Sequence, residues 1–174
     1  MHEGAVAIHG EDLTGYGVSG EHGSFEECRQ EAHASRKCMS ATERRFELMV
    51  WPKTVALVRL PTDAALPSWA TVGKFVSVTR TSDELSVVCD EEQIPEGVRA
   101  EKGWRILQVK GPFELTEIGI LAALATSLAD AKVSLFAIST FDTDYLLVSE
   151  KQLAAAIAAL SGAGHRVRKD CSAS

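Results

Sequence analysis

The 174 residues offer few of the groups that conventional enzyme chemistry uses. There is no G-x-S-x-G nucleophile elbow, no H-E-x-x-H metal-binding helix and no phosphate-cradling P-loop. Cysteines number four, at 28, 38, 89 and 171, with no C-x-x-C among them. Neither a disulfide framework nor a zinc site is therefore expected, and free thiols of a cytoplasmic protein are. Long apolar runs are missing. None approaches the roughly 18 residues of a membrane span, and the first residues lack the basic and apolar regions of a signal peptide. Positive charge is short as well: net charge is −6, and the one basic cluster, Arg166-Val-Arg-Lys169, is small. Such a chain repels phosphate backbones, which argues against nucleic acid as a partner.

What is present fits an ordinary globular domain, with 45% hydrophobic and 24% charged residues. Residues 1–38 stand apart. They hold six of the 13 glycines and four of the five histidines, with seven acids against three bases. Without apolar periodicity they have little to bury against the entropy of ordering, so a disordered extension is expected over 1–45. His2, His9, His22, His33, Cys28 and Cys38 match no metal-ligand spacing, and no metal or other cofactor is expected.

Strands are expected over 55–60, 75–80 and 85–89, with a short acidic turn over 90–96 and a link over 98–103. Trp104 to Lys110 is the next strand. Ile118, Leu121, Ala122, Ala125 and Leu128 then recur at helical spacing, with Thr116 as candidate N-cap. Residues 134–141 and 145–149 form a hairpin around Asp142-Thr-Asp144, and the first of these strands, apolar on both faces, reads as central. A second helix over 150–160 ends at Gly162 and Gly164. Residues 165–168 make a last edge strand, with His165 read as a surface residue. From Trp104 onward the order is β-α-β-β-α-β, an antiparallel sheet with two helices on one face.

The first half reads as a worn copy of the second. Leu57, Arg59 and Pro61 fall on Gln108, Lys110 and Pro112 at a shift of 51, while Val76 falls on Phe136 and Leu85 on Tyr145 at a shift of 60. The nine-residue difference, about two and a half helical turns, is missing from helix one of the first half. The expected fold class is α+β: two ferredoxin-like βαββαβ units, 46–103 with a shortened helix and 104–169, followed by a tail over 170–174.

Two turns at element ends carry polar groups that a core would exclude: 111–117 and 140–144. The start of the helix after Thr116 leaves backbone N–H groups unpaired at the positive end of the helix dipole, which suits a carboxylate. Asp144 and Glu117 suit an ammonium or a long cationic side chain. Gly119, read as lying in the first turn, gives either close helix–sheet packing or room for a ligand. Phe141 serves as a cap on the site or as core. One positive and two negative poles together describe a free amino acid.

The residues Glu117-x-Gly119 before an apolar helix, Ala137-Ile-Ser-Thr-Phe141 followed by Asp144, and Val88-Cys-Asp-Glu91 carry a resemblance. Over residues 46–168 the chain resembles ACT domains, small amino-acid-binding regulatory modules, and is similar to the paired-ACT subgroup of the CASTOR type with its short bacterial relatives. The resemblance implies ligand contacts at Glu117, Gly119, Thr140, Phe141 and Asp144, completed by the backbone near Ser86 and Val87. It implies a non-catalytic sensor and an association into homodimers. Asp142-Thr143 depart from the bulkier residues of several relatives, so arginine specificity does not carry over. Two other readings remain open: a structural adaptor without ligand, and an enzyme using Glu117 as acid or base.

Overall fold

The computed structural model describes residues 44–169. The expected extension, apart from its last two residues, and the tail over 170–174 lie outside them, as do the histidines and cysteines of the N-terminal segment.

Strand β1 (Glu47–Leu60) is the longest element. The expected strand covers only 55–60, and Pro52 lies in the part added before it. Here the proline sits where pairing with β4 slips between Val50 and Thr54, and where neither other neighbour reaches: one pairs residues 47–50, the other 55–60. A residue without a backbone donor is tolerated at such an irregularity. β2 (Ser77–Arg80) and β3 (Leu85–Asp90) follow, then β4 (Ala100–Val109). Residues 100–103, expected as a link, thus belong to β4. Gly103, at φ 77°, takes up the register shift opposite β1 between Val55 and Leu57. Helix α1 (Ile120–Asp130), β5 (Leu135–Ser139), β6 (Asp144–Ser149), α2 (Leu153–Gly162) and β7 (Arg166–Lys169) complete the chain.

The sheet runs β2-β3-β1-β4-β6-β5, with β7 parallel to the start of β1. All other pairs are antiparallel. Two units with one strand order interleave here; only the second has α-helices, and the first has 3-10 turns in their places. β1 leads the first unit and also fills the place of a fourth strand beside the leading strand of the second. β4 does the reverse. In the first unit one 3-10 turn, Ser68–Thr71, stands where the second has α1.

Leu48, Val50, Leu107, Val109, Leu146 and Val148 face α1 and α2, meeting Ile120, Ala123, Leu124, Leu128, Ala156 and Leu160. The buried stripe of α1 is thus 120, 123, 124 and 128, rotated from the expected one; Ile118 is exposed and precedes the helix. β5, expected to be central, is an outer strand with Phe136 partly exposed. Its two apolar faces have different covers: Leu135 packs toward the helices, and Ile138 joins Trp51, Phe75, Trp104 and Tyr145 on the other face. Rings from β1, β6 and the approach to β2 meet there, with Phe75 and Tyr145 5.0 Å apart.

The observed faces also correct the proposed repeat. Leu85 lies on the helix side and Tyr145 on the opposite side, so the even shift of 60 inverts the pleat. The odd shift of 51 preserves it, placing Ala56 on Leu107 and Val58 on Val109.

His165 is buried, not a surface residue. Its Nδ1 accepts the Phe46 N–H at 3.2 Å and its ring stacks on Phe46. Burial pushes the imidazole below its usual 6.5. The folded state therefore binds this proton less readily than the unfolded chain. Stability from this group is held above about pH 6.5 and lost as pH falls through the folded value. Urea unfolding is expected to show lower stability at pH 5.5 than at 7.5, and His165→Gln, which does not titrate, is expected to shrink that difference.

Candidate ligand site

The loop that enters α1 and the turn joining β5 to β6 are fastened together. Phe113 N–H donates to the Asp142 carbonyl at 2.9 Å, and the Thr143 hydroxyl donates to the Val109 carbonyl. Within the turn, Thr140 donates to the Thr143 carbonyl through both its N–H and its hydroxyl, each at 2.9 Å. A β-carbon at Gly111 would lie 2.5 Å from the Asp142 carbonyl oxygen, so glycine permits this approach of two backbones.

Between loop and turn lies a cleft of about 330 Å³. Five of the seven expected residues line it: Glu117, Gly119, Thr140, Phe141 and Asp144. Ile120, Leu121 and Ala122 line it as well. The first intrahelical bond runs from Ala123 N–H to the Gly119 carbonyl, which leaves the three preceding amides without a helical acceptor. The free helix end and Asp144 thus face the same cavity.

Thr116 is not the N-cap. A turn closed by Glu117 N–H on the Glu114 carbonyl holds it three residues upstream, and Gly119 occupies the cap position. Gly119 is therefore outside the first turn. Its φ of 86° lies in the left-handed region, which accounts for glycine, and a β-carbon there would meet open space.

The two acids differ in their partners. Asp144 is half-buried; Ser139 Oγ donates to its Oδ1 at 2.6 Å, and Oδ2 has no partner among the described residues. Glu117 is engaged by the Arg44 guanidinium, which also donates to the Ile118 carbonyl and lies over the Phe46 ring. Phe141 is not core: it is 77% exposed and stands on the rim with Leu115, at 72%.

Ser86 and Val87 are elsewhere. Ser86 lines a separate cleft of about 380 Å³ between the outer strands β2 and β5, which shares Ser139 with the first. The Val87 side chain is fully buried, and β3 is flanked by β1 and β2, so its backbone is taken up by the two ladders. The sequence reading missed Arg44, Ser139 and the apolar rim. Ser139 lay inside the quoted motif, but Arg44 has no local signal: its partner is 73 residues away.

A larger groove, about 470 Å³, runs between α1 and α2. Alanines form much of its wall, and its Thr126 and Ser127 hydroxyls donate to the carbonyls of Ala122 and Ala123 in their own helix. It offers fewer free polar groups to orient a small zwitterion. Gly15, Gly17 and Gly20 have the spacing of a dinucleotide turn, but Glu11-Asp-Leu-Thr14 before them is no apolar strand, and they lie outside the described residues.

Residues 99–162 belong to the ACT domain family, whose model matches them; a separate model for an N-terminal domain matches 54–97. The crystal structure of protein Atu0741 from Agrobacterium tumefaciens is 38% identical, with a TM-score of 0.69 over 73% of this chain and 95% of that one. VC0802 from Vibrio cholerae, a possible transport protein of unknown function, is 18% identical with a TM-score of 0.57, over 68% of this chain and 89% of that one, and shares the fold. Among curated proteins, the rat cytosolic arginine sensor for mTORC1 subunit 1 is 30% identical over 122 residues, which is 64% of this chain and 36% of the relative. The human putative protein CASTOR3P is 32% identical over 93 residues, 46% of this chain and 57% of the relative. This chain thus spans about half the length of these curated relatives, or less. Regulatory sensing of amino acids is the role associated with the family. Among the described residues no helix is long and apolar enough to cross a membrane.

Proposed function

We propose that this protein is a non-catalytic, cytoplasmic regulatory sensor that binds a free amino acid in the cleft between residues 113–122 and 139–144. The observation that carries the reading is the shared cavity of three uncommitted helix-end amides and the half-free Asp144 carboxylate. The amides receive the ligand's carboxylate and Asp144 its ammonium. Glu117, already paired with Arg44, contributes wall rather than charge and is poorly placed to exchange protons with a substrate. The rat relative's name, an arginine sensor, supports the ligand class. The division into units 46–103 and 104–169 is part of the same reading as two repeats along the sequence and not as two separate bodies, since β4 crosses the boundary.

Calorimetry against the twenty amino acids is expected to find at least one with a dissociation constant between about 1 μM and 1 mM. Binding by none of them would remove the proposal.

Outer strands support a second, compatible role in homodimer formation. β2, β5 and β7 each pair on one side among the described residues, and Val78 and Phe136 expose apolar surface beside two of these edges.

A further inference from the structure

We propose that Arg44 sets the ligand class of this site: it reserves Glu117 for itself, so that the cleft selects amino acids with uncharged, apolar side chains over basic ones. The inference rests on the amino-acid reading above and adds to it a selecting residue.

Arg44 is held from both ends. Its guanidinium grips the Glu117 carboxylate and the Ile118 carbonyl, and lies 5.5 Å from the centre of the Phe46 ring. Phe46 is itself fixed. It is buried, its N–H donates to His165 and its carbonyl accepts the Arg166 N–H at 2.8 Å. The arginine thus projects from a rigid strand entrance, with its side chain 27% exposed and that of Glu117 29% exposed. A planar fork engaging a carboxylate and a carbonyl is well suited to hold its place.

A ligand placed with its carboxylate at the helix end and its ammonium at Asp144 directs its side chain toward the mouth. The groups waiting there are Leu115 and Phe141, each more than 70% exposed. Isolated exposed apolar residues are ordinary, but two at the mouth of one cleft offer apolar surface that a ligand can cover. A second cation on the ligand finds no open carboxylate in the inner wall. To reach Glu117 it must displace a tethered guanidinium, which competes at the high effective concentration of an intramolecular partner. Glu114 and Asp142 also border the cleft but stand in water, where an ion pair contributes little. Burying part of a basic side chain against the apolar rim without a counter-ion is then unfavourable.

Titration calorimetry of the full 174-residue chain with leucine, methionine, phenylalanine, arginine and lysine tests this directly. The wild-type protein is expected to bind at least one of the first three about tenfold or more tightly than either basic amino acid. Arg44→Met, checked for folding by circular dichroism, is expected to free Glu117 and improve arginine binding by about tenfold, while the apolar ligand changes by less than about threefold. A wild-type preference for arginine or lysine overturns the inference and leaves amino-acid sensing standing. An unchanged ratio in a folded Arg44→Met protein also overturns it. Failure of the wild-type chain to bind any amino acid removes the underlying reading and the inference with it. Should Arg44→Met not fold, the wild-type selectivity alone decides.

Discussion

Leu124→Ala is expected to lower the free energy of unfolding by about 2–5 kcal/mol, the range for truncating a large aliphatic side chain in a packed core. Leu124 is fully buried, in a cluster that joins both helices to β1, β4 and β6. Removing three carbons leaves a void bounded by strands that cannot all move inward, since each is held by its ladder. The same variant should weaken ligand binding indirectly, because α1 presents its first amides to the cleft from this seat. Leu115→Ala is the matched control: Leu115 is 72% exposed, and its loss should change stability by less than about 0.5 kcal/mol. Urea unfolding of the two variants measures the contrast. A cost below about 1 kcal/mol for Leu124→Ala would mean that α1 is not seated on the sheet as described.

Asp144→Ala is expected to weaken an amino-acid ligand by about 1.5–3 kcal/mol, the scale of a hydrogen bond to a charged group. That is roughly a tenfold to 150-fold rise in dissociation constant. Half-burial sets this range; a fully desolvated pair would cost more to break. The free Oδ2 is the atom assigned to the ligand, whereas Oδ1 accepts the Ser139 hydroxyl. Ser139→Ala separates these roles: it removes the local bond and keeps the carboxylate, so its effect on binding should be the smaller. If Asp144→Ala binds as tightly as the wild type by calorimetry, the ammonium is not held at Asp144.

The turn pair 111–117 and 140–144 was legible in the sequence because both stretches put polar residues at the ends of apolar elements. Five expected residues meet at one cleft for that reason. The phase of α1 was not legible. Ile118 has the spacing of a helical face, yet the left-handed Gly119 takes the cap position and the helix starts at Ile120, three residues later than expected, with its buried stripe at 120, 123, 124 and 128. Strand order was misjudged at β5, since apolar residues on both faces do not reveal that the second cover is an aromatic cluster reached from the far side of the sheet. Arg44 was invisible for a different reason. Its role depends on bringing residue 44 beside residue 117, and nothing short-range in the sequence records a pairing between β1 and β4.

That pairing has a practical corollary. Because β1 and β4 each serve both halves, the point near residue 100 where the chain seems to divide is a seam in the sequence with no counterpart in space. A truncation or gene fusion placed there would strip each fragment of a neighbouring strand and bare a long hydrogen-bonding margin. The two halves are heirs to one sheet, and only the unbroken chain inherits all of it.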